Sequence, residues 1–154
     1  MSGEGDAMRY LEDFTPGQVI ELGSKTVSEE EILTFAREFD PQPFHVDPER
    51  ARDSIYGGII ASGWHTIAIF MRLAVNGLFN DTVSMGSPGV NEVRWLRPVR
   101  PGDTLRARLT MVELTPSRSR PDRGTMRSLA EVFNGQDERV LSMDVLGIVG
   151  RRPQ

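Results

Sequence analysis

The sequence predicts an α+β domain in which a single antiparallel sheet wraps around one long buried helix. Apolar residues lie on nearly every side of a helix predicted from Ser62 to about Phe79, a pattern typical of a helix surrounded by protein. From Val93 onward the hydrophobic period changes to two, which is the period of strands. Asn134-Gly135 then indicates a hairpin between the last two strands. Helices early and strands late in the chain favour an α+β layout.

A chain of 154 residues has the length of one domain with a single core. Residues 1–9 are rich in Gly, Glu and Asp and are predicted to form a flexible N-terminal tail, and residues 10–150 a single domain. Near the start of that domain, a turn and a short strand are indicated by Pro16-Gly17 and by Val19, Ile20 and Leu22.

The first helix has a predicted N-cap at Ser28, with Glu31 three residues later as its capping-box partner. Pro41 ends this helix at Asp40 or just before it. Asp40 therefore lies at a helix exit, where side chains often point into a cleft. The apolar face of the helix is predicted to consist of Ile32, Phe35, Ala36 and Phe39.

A short helix and the long apolar helix are predicted to follow. Asp47-Pro48 is an N-cap followed by a first-turn proline, and the short helix that it opens is predicted to run through Arg52. The segment Tyr56-Gly57-Gly58 breaks this helix. The long helix then begins near Ser62.

The strands predicted after the long helix complete the sheet. The first contains Val93 and Trp95, and two more are predicted over residues 125–133 and 139–149. An antiparallel sheet around one long apolar helix is the description of a hotdog fold. The clearest alternation places on one face Leu105, Ala107, Leu109 and Met111.

Composition excludes several classes of protein. The formal net charge of −4 argues against a general nucleic-acid binder, which would need a basic face. The absence of cysteine excludes disulfides, thiolate nucleophiles and thiolate metal sites. Residues 1–9 lack the pattern of a secretion signal, and no apolar run reaches the length of a membrane span. We therefore expect a cytoplasmic protein that binds neither nucleic acid nor membrane.

Asp40 and His45 are the residues best suited to acid/base chemistry. The chain has only two histidines, and His45 follows Asp40 across a loop stiffened by Pro41 and Pro43. A carboxylate and an imidazole held in this way can share one water molecule. Taken alone, each also has a structural explanation, because an Asp before proline is usually a cap or turn residue and a lone His is usually packed.

Gly63 is the candidate for binding negative charge. It lies at the start of the long helix, where backbone N–H groups lack intrahelical partners and the helix dipole favours an anion. A thioester oxygen could be bound there. A glycine that opens a helix commonly serves only close packing, so it is the combination with Asp40 and His45 that favours a functional interpretation.

Two segments of the chain resemble the hydratase motif of the MaoC-like dehydratases, a family that includes the R-specific enoyl-CoA hydratases. They are FDPQPFHVDP at Phe39–Pro48 and GIIASGW at Gly58–Trp64. Weaker matches lie upstream at Tyr10–Phe14 and Pro16–Gln18 and downstream at Leu96–Asp103, so the resemblance runs from about residue 10 to about residue 149.

This resemblance implies a hotdog fold, usually dimeric, that acts on thioesters of coenzyme A without a metal or redox cofactor. In the family the residues matching Asp40 and His45 activate water, and the N–H matching Gly63 binds the thioester carbonyl. The chain departs from the family pattern where Gln42 replaces Asn, Ser62 replaces His, and Met71 replaces a Ser. Those departures put the identity of the substrate in doubt.

Further residues are predicted to bind substrate. With Gly63, the oxyanion and substrate-binding candidates are Ser62, Trp64, Gln42 and Phe44. For Trp64 and for His65, lining an acyl pocket and packing under the loop are equally good interpretations, and Phe44 is also expected to pack the loop against the long helix. Contact with coenzyme A phosphates is considered for Arg94, Arg97 and Arg100, although a solvated strand face explains them at least as well.

Three functions agree with these residues. The leading hypothesis is reversible hydration of a 2-enoyl thioester to a 3-hydroxyacyl thioester, with Asp40 as base and His45 as its proton partner. The expected partner is acyl-CoA or an acyl-carrier-protein thioester. The alternatives are an acyl-CoA thioesterase, since hotdog folds host both activities, and a non-catalytic subunit that binds acyl thioesters. A homodimer or higher homo-oligomer is expected because one such sheet leaves an edge strand and part of its pocket open.

Overall fold

A computed structural model describes residues 7–154 of the chain, which form the predicted sheet and helices. Residues 1–6 of the predicted tail lie outside the described residues. At the end of the predicted tail, the Arg9 N–H donates to the Asp81 carbonyl at 2.8 Å, and the Val83 N–H donates to the Arg9 carbonyl at 2.9 Å.

Four α-helices lie in the first half of the chain. They are α1 (Glu29–Phe39), α2 (Pro43–Val46), α3 (Pro48–Arg52) and α4 (Gly63–Gly77). Ser28 and Glu31 form the predicted capping box of α1, and Asp47 caps α3. The single turn of α2 was not predicted. None of the helices within residues 7–154 combines the length and apolar character needed to cross a membrane.

Five antiparallel strands make one sheet in the order β1-β3-β4-β5-β2. They are β1 (Val19–Thr26), β2 (Val90–Trp95), β3 (Thr104–Pro116), β4 (Arg123–Phe133) and β5 (Arg139–Gly150). The β4–β5 hairpin turns at Asn134, whose N–H donates to the Glu138 carbonyl at 2.9 Å. The arrangement is the hotdog fold that the sequence predicts, with β1 and β2 as the two edge strands.

The core lies between this sheet and α4. The predicted alternation in β3 is confirmed, since the side chains of Leu105, Ala107, Leu109 and Met111 are all buried. They pack in one cluster with Ile69, Phe70, Leu73 and Ala74 of α4. Burial of these apolar side chains on both elements fixes the start of α4 relative to the sheet.

The structure corrects the expectation that α4 is buried on all sides. Trp64 is 60% exposed and Met71 45% exposed, because in a single chain the sheet covers only one side of the helix. The prediction that Phe39 joins the buried face of α1 is also wrong, since its side chain is 65% exposed. It lies in the last turn of α1, where its ring packs against the Phe35 ring at a centroid distance of 5.1 Å.

Candidate active site

The loop after α1 brings Asp40 and His45 together. Asp40 closes α1, with its N–H donating to the Ala36 carbonyl at 2.8 Å. Pro43 then opens α2 as its first residue, and His45 projects from that turn. The distance between Asp40 Oδ2 and His45 Nε2 is 3.3 Å, so the two prolines of the loop hold an acid and an imidazole at the separation that shared acid/base chemistry requires.

The orientation of the His45 ring fixes its tautomer. Its side chain is buried, and its Nδ1 lies 2.7 Å from the carbonyl oxygen of Ile60. A carbonyl oxygen only accepts hydrogen bonds, so Nδ1 carries the proton. In the neutral ring Nε2 is therefore left as an acceptor that faces Asp40. The ring of Phe44 packs edge-on against the His45 ring at a centroid distance of 4.5 Å.

The carboxylate of Asp40 is held by two donors. Gln42 Nε2 donates to Asp40 Oδ1 at 2.8 Å, and Ser62 Oγ donates to Asp40 Oδ2 at 2.7 Å. Burial alone would raise the pKa of Asp40, but the hydrogen bonds from Gln42 and Ser62 lower that pKa below its usual value. Asp40 is therefore ionised at neutral pH.

A cleft of about 320 Å³ opens beside this pair. It contains Asp40 and His45 and three of the predicted binding residues, Phe44, Gly63 and Trp64. The remaining lining residues are Tyr56, Ile60, Ala61, Thr66, Trp95, Leu96, Arg97, Pro98 and Val99. The two other predicted binding residues, Ser62 and Gln42, contact the Asp40 carboxylate and are not among the residues that line the cleft.

Gly63 lies at the N-terminus of α4, as predicted, and the side chain of Trp95 packs against it. Ser62 caps this helix by accepting from the Trp64 N–H at 3.3 Å. A Cβ atom added to Gly63 would come within 2.3 Å of Trp95 Nε1, and the Trp64 ring meets the Trp95 ring edge-on at 5.3 Å. The glycine is thus required for the close approach of Trp95, and the first turn of α4 faces the cleft.

Several lining residues were missed by sequence reasoning. Thr66 was not singled out, Tyr56 was named only in the segment that breaks the short helix, and Trp95 was assigned only to a strand. The alternation in the strand gave no signal that Trp95 crosses over the start of α4. A partial signal lay in the downstream motif at Leu96–Asp103, four residues of which, from Leu96 to Val99, return to the cleft.

The arginines considered as phosphate ligands differ in position. Arg97 lines the cleft and pairs with Glu138 at 3.2 Å. Arg94 pairs with Glu92 at 2.8 Å on the exposed surface. Arg97 is therefore the one of the three considered arginines that lines the cleft.

His65 takes a structural position. Its ring stacks on Phe35 with a centroid distance of 4.7 Å, and its Nδ1 is buried without a hydrogen-bond partner. Burial lowers the pKa of His65, so the neutral ring is favoured. The packing interpretation of His65 agrees with these contacts. In the described part of the chain, no group of three or more His, Asp or Glu side chains is arranged to hold a metal ion.

Comparisons with known proteins agree with this description. A family model for the MaoC like domain matches residues 13–132. The chain is 34% identical to the uncharacterised protein YdeM of Bacillus subtilis over 142 residues, which span 92% of this chain and 99% of that protein. It is 29% identical to an (R)-specific enoyl-CoA hydratase of Rhodospirillum rubrum over 124 residues, or 77% of this chain and 80% of the enzyme.

A solved structure is similar over almost the whole chain. The crystal structure of a MaoC-like dehydratase from Rhodospirillum rubrum superposes with a TM-score of 0.85 at 40% sequence identity. The superposition covers 95% of this chain and 99% of the other.

Proposed function

The chain belongs to the MaoC-like dehydratase family, and from that membership we propose that it adds water reversibly to a 2-enoyl thioester, with Asp40 and His45 as its acid/base pair. The product is the 3-hydroxyacyl thioester. The observation that carries the proposal is the 3.3 Å distance between Asp40 Oδ2 and His45 Nε2, at the edge of a cleft that also contains the start of α4.

A water molecule bridging the two side chains would donate one hydrogen to each acceptor. Its oxygen then bonds to C3 of the enoyl group while one proton passes to the pair, and the π electrons move toward the thioester oxygen. The Gly63 N–H and the α4 dipole provide positive charge where that oxygen becomes negative. Protonation at C2 completes the addition.

The reaction as proposed needs no redox cofactor, because addition of water changes no net oxidation state, and the thioester carrier is part of the substrate. The relative named as an (R)-specific enoyl-CoA hydratase supports coenzyme A as the carrier. An acyl-carrier-protein thioester remains the alternative carrier, and the two are distinguished by assaying the same acyl group on each. The cytoplasmic location expected from the sequence is kept as part of this proposal.

Loss of the conjugated-enoyl absorbance tests the proposal directly. We expect purified protein to bleach a 2-enoyl-CoA from a panel of short, branched and dicarboxylic acyl groups, and Asp40→Asn to lower kcat by about 10²–10⁴-fold, the usual contribution of a general acid or base. Asp53→Asn is the matched control, since Asp53 is exposed and outside the cleft.

The same assays separate the other functions. Release of free thiol from a saturated acyl-CoA, without bleaching of any enoyl-CoA, would replace hydration by thioester hydrolysis. Tight binding of acyl-CoA with no turnover, unchanged by Asp40→Asn, would instead indicate a non-catalytic binding subunit.

A homodimer is part of the proposal. Strand β2 is an edge of the sheet, and its Val90 and Trp95 are 48% and 46% exposed. The Trp64 ring contacts the Trp95 ring, and Met71 is exposed about two turns after Trp64 along the same face of α4. A second copy of the chain would pair the free edge and cover this apolar face.

A further inference from the structure

The hydrogen bonds of Asp40 use both of its carboxylate oxygens. Gln42 donates to Oδ1 and Ser62 donates to Oδ2, at 2.8 Å and 2.7 Å. Ser62 is fully buried, and its Oγ also accepts from the Trp64 N–H. A hydroxyl has one proton, so the proton of Ser62 is committed to Asp40.

These donors stabilise the ionised form of Asp40. A protonated carboxyl is neutral, so its oxygens would accept more weakly from Gln42 and Ser62 than the oxygens of the carboxylate do. Hydrogen bonds to a charged group are stronger than hydrogen bonds between neutral groups. The lowered pKa of Asp40, in spite of partial burial, agrees with this geometry.

In contrast to Asp40, whose two oxygens both accept hydrogen bonds, His45 has one ring nitrogen that can take up a proton. Its Nδ1–H is held by the Ile60 carbonyl at 2.7 Å, so its Nε2 is the free site for a proton. Nε2 lies 3.3 Å from Asp40 Oδ2, so a proton taken up there would lie beside the Asp40 carboxylate. The geometry thus gives the two residues different roles, with Asp40 as the anion and His45 as the proton acceptor.

We propose that Ser62 and Gln42 are positioning residues that hold Asp40 as an anion throughout the reaction, so that the proton removed from water resides on His45 Nε2. This inference rests on the proposed function and changes two predictions made from the sequence. Ser62 and Gln42 act on Asp40 and not on substrate, and His45 is the base that Asp40 assists.

The proton and electron balance of the step is complete. One O–H bond of water breaks, its proton goes to His45 Nε2, and the oxygen bonds to C3. The π pair of the C2–C3 double bond shifts to give an enolate on the thioester. His45 then returns the proton to C2, the thioester carbonyl reforms, and Asp40 carries its negative charge at every stage.

Two variants test the role of the donors, each with a matched control. Ser62→Ala removes the bond to Oδ2, and Gln42→Leu removes the bond to Oδ1. Thr82→Val is the control for a buried hydroxyl, because the Thr82 hydroxyl donates to the Leu78 carbonyl at 2.8 Å. Gln18→Leu is the control for a loop glutamine whose side chain accepts from the Thr15 N–H at 3.0 Å.

NMR titration of the whole chain measures the pH at which the Asp40 carboxyl takes up a proton. If Ser62 and Gln42 served only packing, their substitution would leave that pH unchanged. We expect the Asp40 carboxyl carbon to titrate at higher pH in both Ser62→Ala and Gln42→Leu than in the wild type, and at its wild-type pH in both controls and in Ser62→Thr. The ¹⁵N shifts of His45 should show a protonated Nδ1 and an unprotonated Nε2 in the neutral ring. An unshifted Asp40 titration in both variants, or the opposite tautomer, would overturn the inference.

Kinetics distinguish positioning from substrate binding. On an enoyl thioester that the wild type hydrates, we expect kcat to fall about tenfold or more in each variant, the rate equivalent of losing one hydrogen bond to a charged group, with KM nearly unchanged. Ser62→Thr should restore most of the rate. A raised KM at constant kcat would assign these side chains to substrate and refute the inference.

The titrations remain decisive if the proposed function fails. Absence of hydration on every thioester would reject the function, while the Asp40 and His45 measurements would still show whether Ser62 and Gln42 control the charge of Asp40. Since Ser62 also caps α4, Gln42→Leu provides the independent variant should Ser62→Ala fail to fold.

Discussion

The indole of Trp95 lies against the backbone of Gly63, so closely that a Cβ on Gly63 would be 2.3 Å from Nε1 and 2.4 Å from Cε2 of the ring. The contact joins the edge strand β2 to the first turn of α4, the turn proposed to bind the thioester oxygen. Any side chain at position 63 must therefore displace Trp95.

Gly63→Ala is expected to move Trp95 and disturb the cleft. Overpacking of this kind usually costs about 1–3 kcal/mol of stability, so Gly63→Ala should fold with a lower Tm, an altered tryptophan fluorescence spectrum and much reduced kcat. Gly58→Ala is the control, because its Cβ would lie an ordinary 3.8 Å from Arg100. If packing is the cause, adding Trp95→Ala to Gly63→Ala should recover the lost Tm. Equal effects of the two glycine substitutions would contradict this explanation.

Local patterns predicted the elements of this site better than their mutual contacts. The capping box of Ser28 and Glu31 and the proline-stiffened loop are determined by neighbouring residues, and both are present. The approach of Trp95 to Gly63 joins residues far apart in the chain, and hydrophobic alternation carries no information on such pairs. The bond from Ser62 to Asp40 was missed for the same reason, although both residues were singled out.

The exposed side of α4 shows that an apolar sequence pattern does not reveal which chain covers a helix face. An apolar run indicates that a helix face is covered, but it does not say whether the same chain covers it. Trp64 and Met71 are apolar as predicted and yet exposed. We attribute this difference to the part of the surface that is proposed to contact a second copy.

The ionisation of Glu31 should make the stability of the protein fall at acidic pH. The hydrogen bond from Lys25, followed by those from Ser28, lowers the pKa of Glu31 from 4.5 to about 2. A carboxyl whose pKa is lowered on folding stabilises the protein above its unfolded value, and this contribution is lost as the pH falls through the folded value. Between pH 4.5 and pH 2 the wild type should therefore lose stability that Glu31→Gln already lacks.

Urea unfolding at pH 7, 4 and 2.5 measures this contribution. At pH 7, Glu31→Gln should be destabilised by about 1 kcal/mol, the usual value for a helix cap, and the difference from the wild type should shrink toward pH 2.5. Glu30→Gln, one residue earlier on the same helix, should show no such convergence. A constant difference at all three pH values would exclude ionisation of Glu31 as the cause.

His65 should affect the stability of the protein in a higher pH range than Glu31 does. Burial lowers its pKa below 6.5, so on acidification the unfolded chain takes up a proton before the folded protein does. Stability contributed by the neutral ring is complete above about pH 6.5 and declines as the pH falls toward the folded value. His65→Phe keeps an aromatic ring against Phe35, and its free energy of unfolding should change less between pH 7.5 and pH 5.5 than that of the wild type. Parallel profiles would show that folding does not lower the pKa of His65.

Met71→Glu should separate the proposed dimer. We expect light scattering at micromolar concentration to give the wild type twice its chain mass of 17.2 kDa, because the β2 edge and the exposed face of α4 form one apolar surface. A charge at Met71 would have to be desolvated in that interface, which opposes association, so Met71→Glu should have the mass of one chain. Val112→Glu is the matched control, since Val112 is equally exposed at 44% but lies on β3, away from this surface. A monomeric wild type, or dissociation by Val112→Glu alone, would mean that copies of the chain do not associate through β2 and α4.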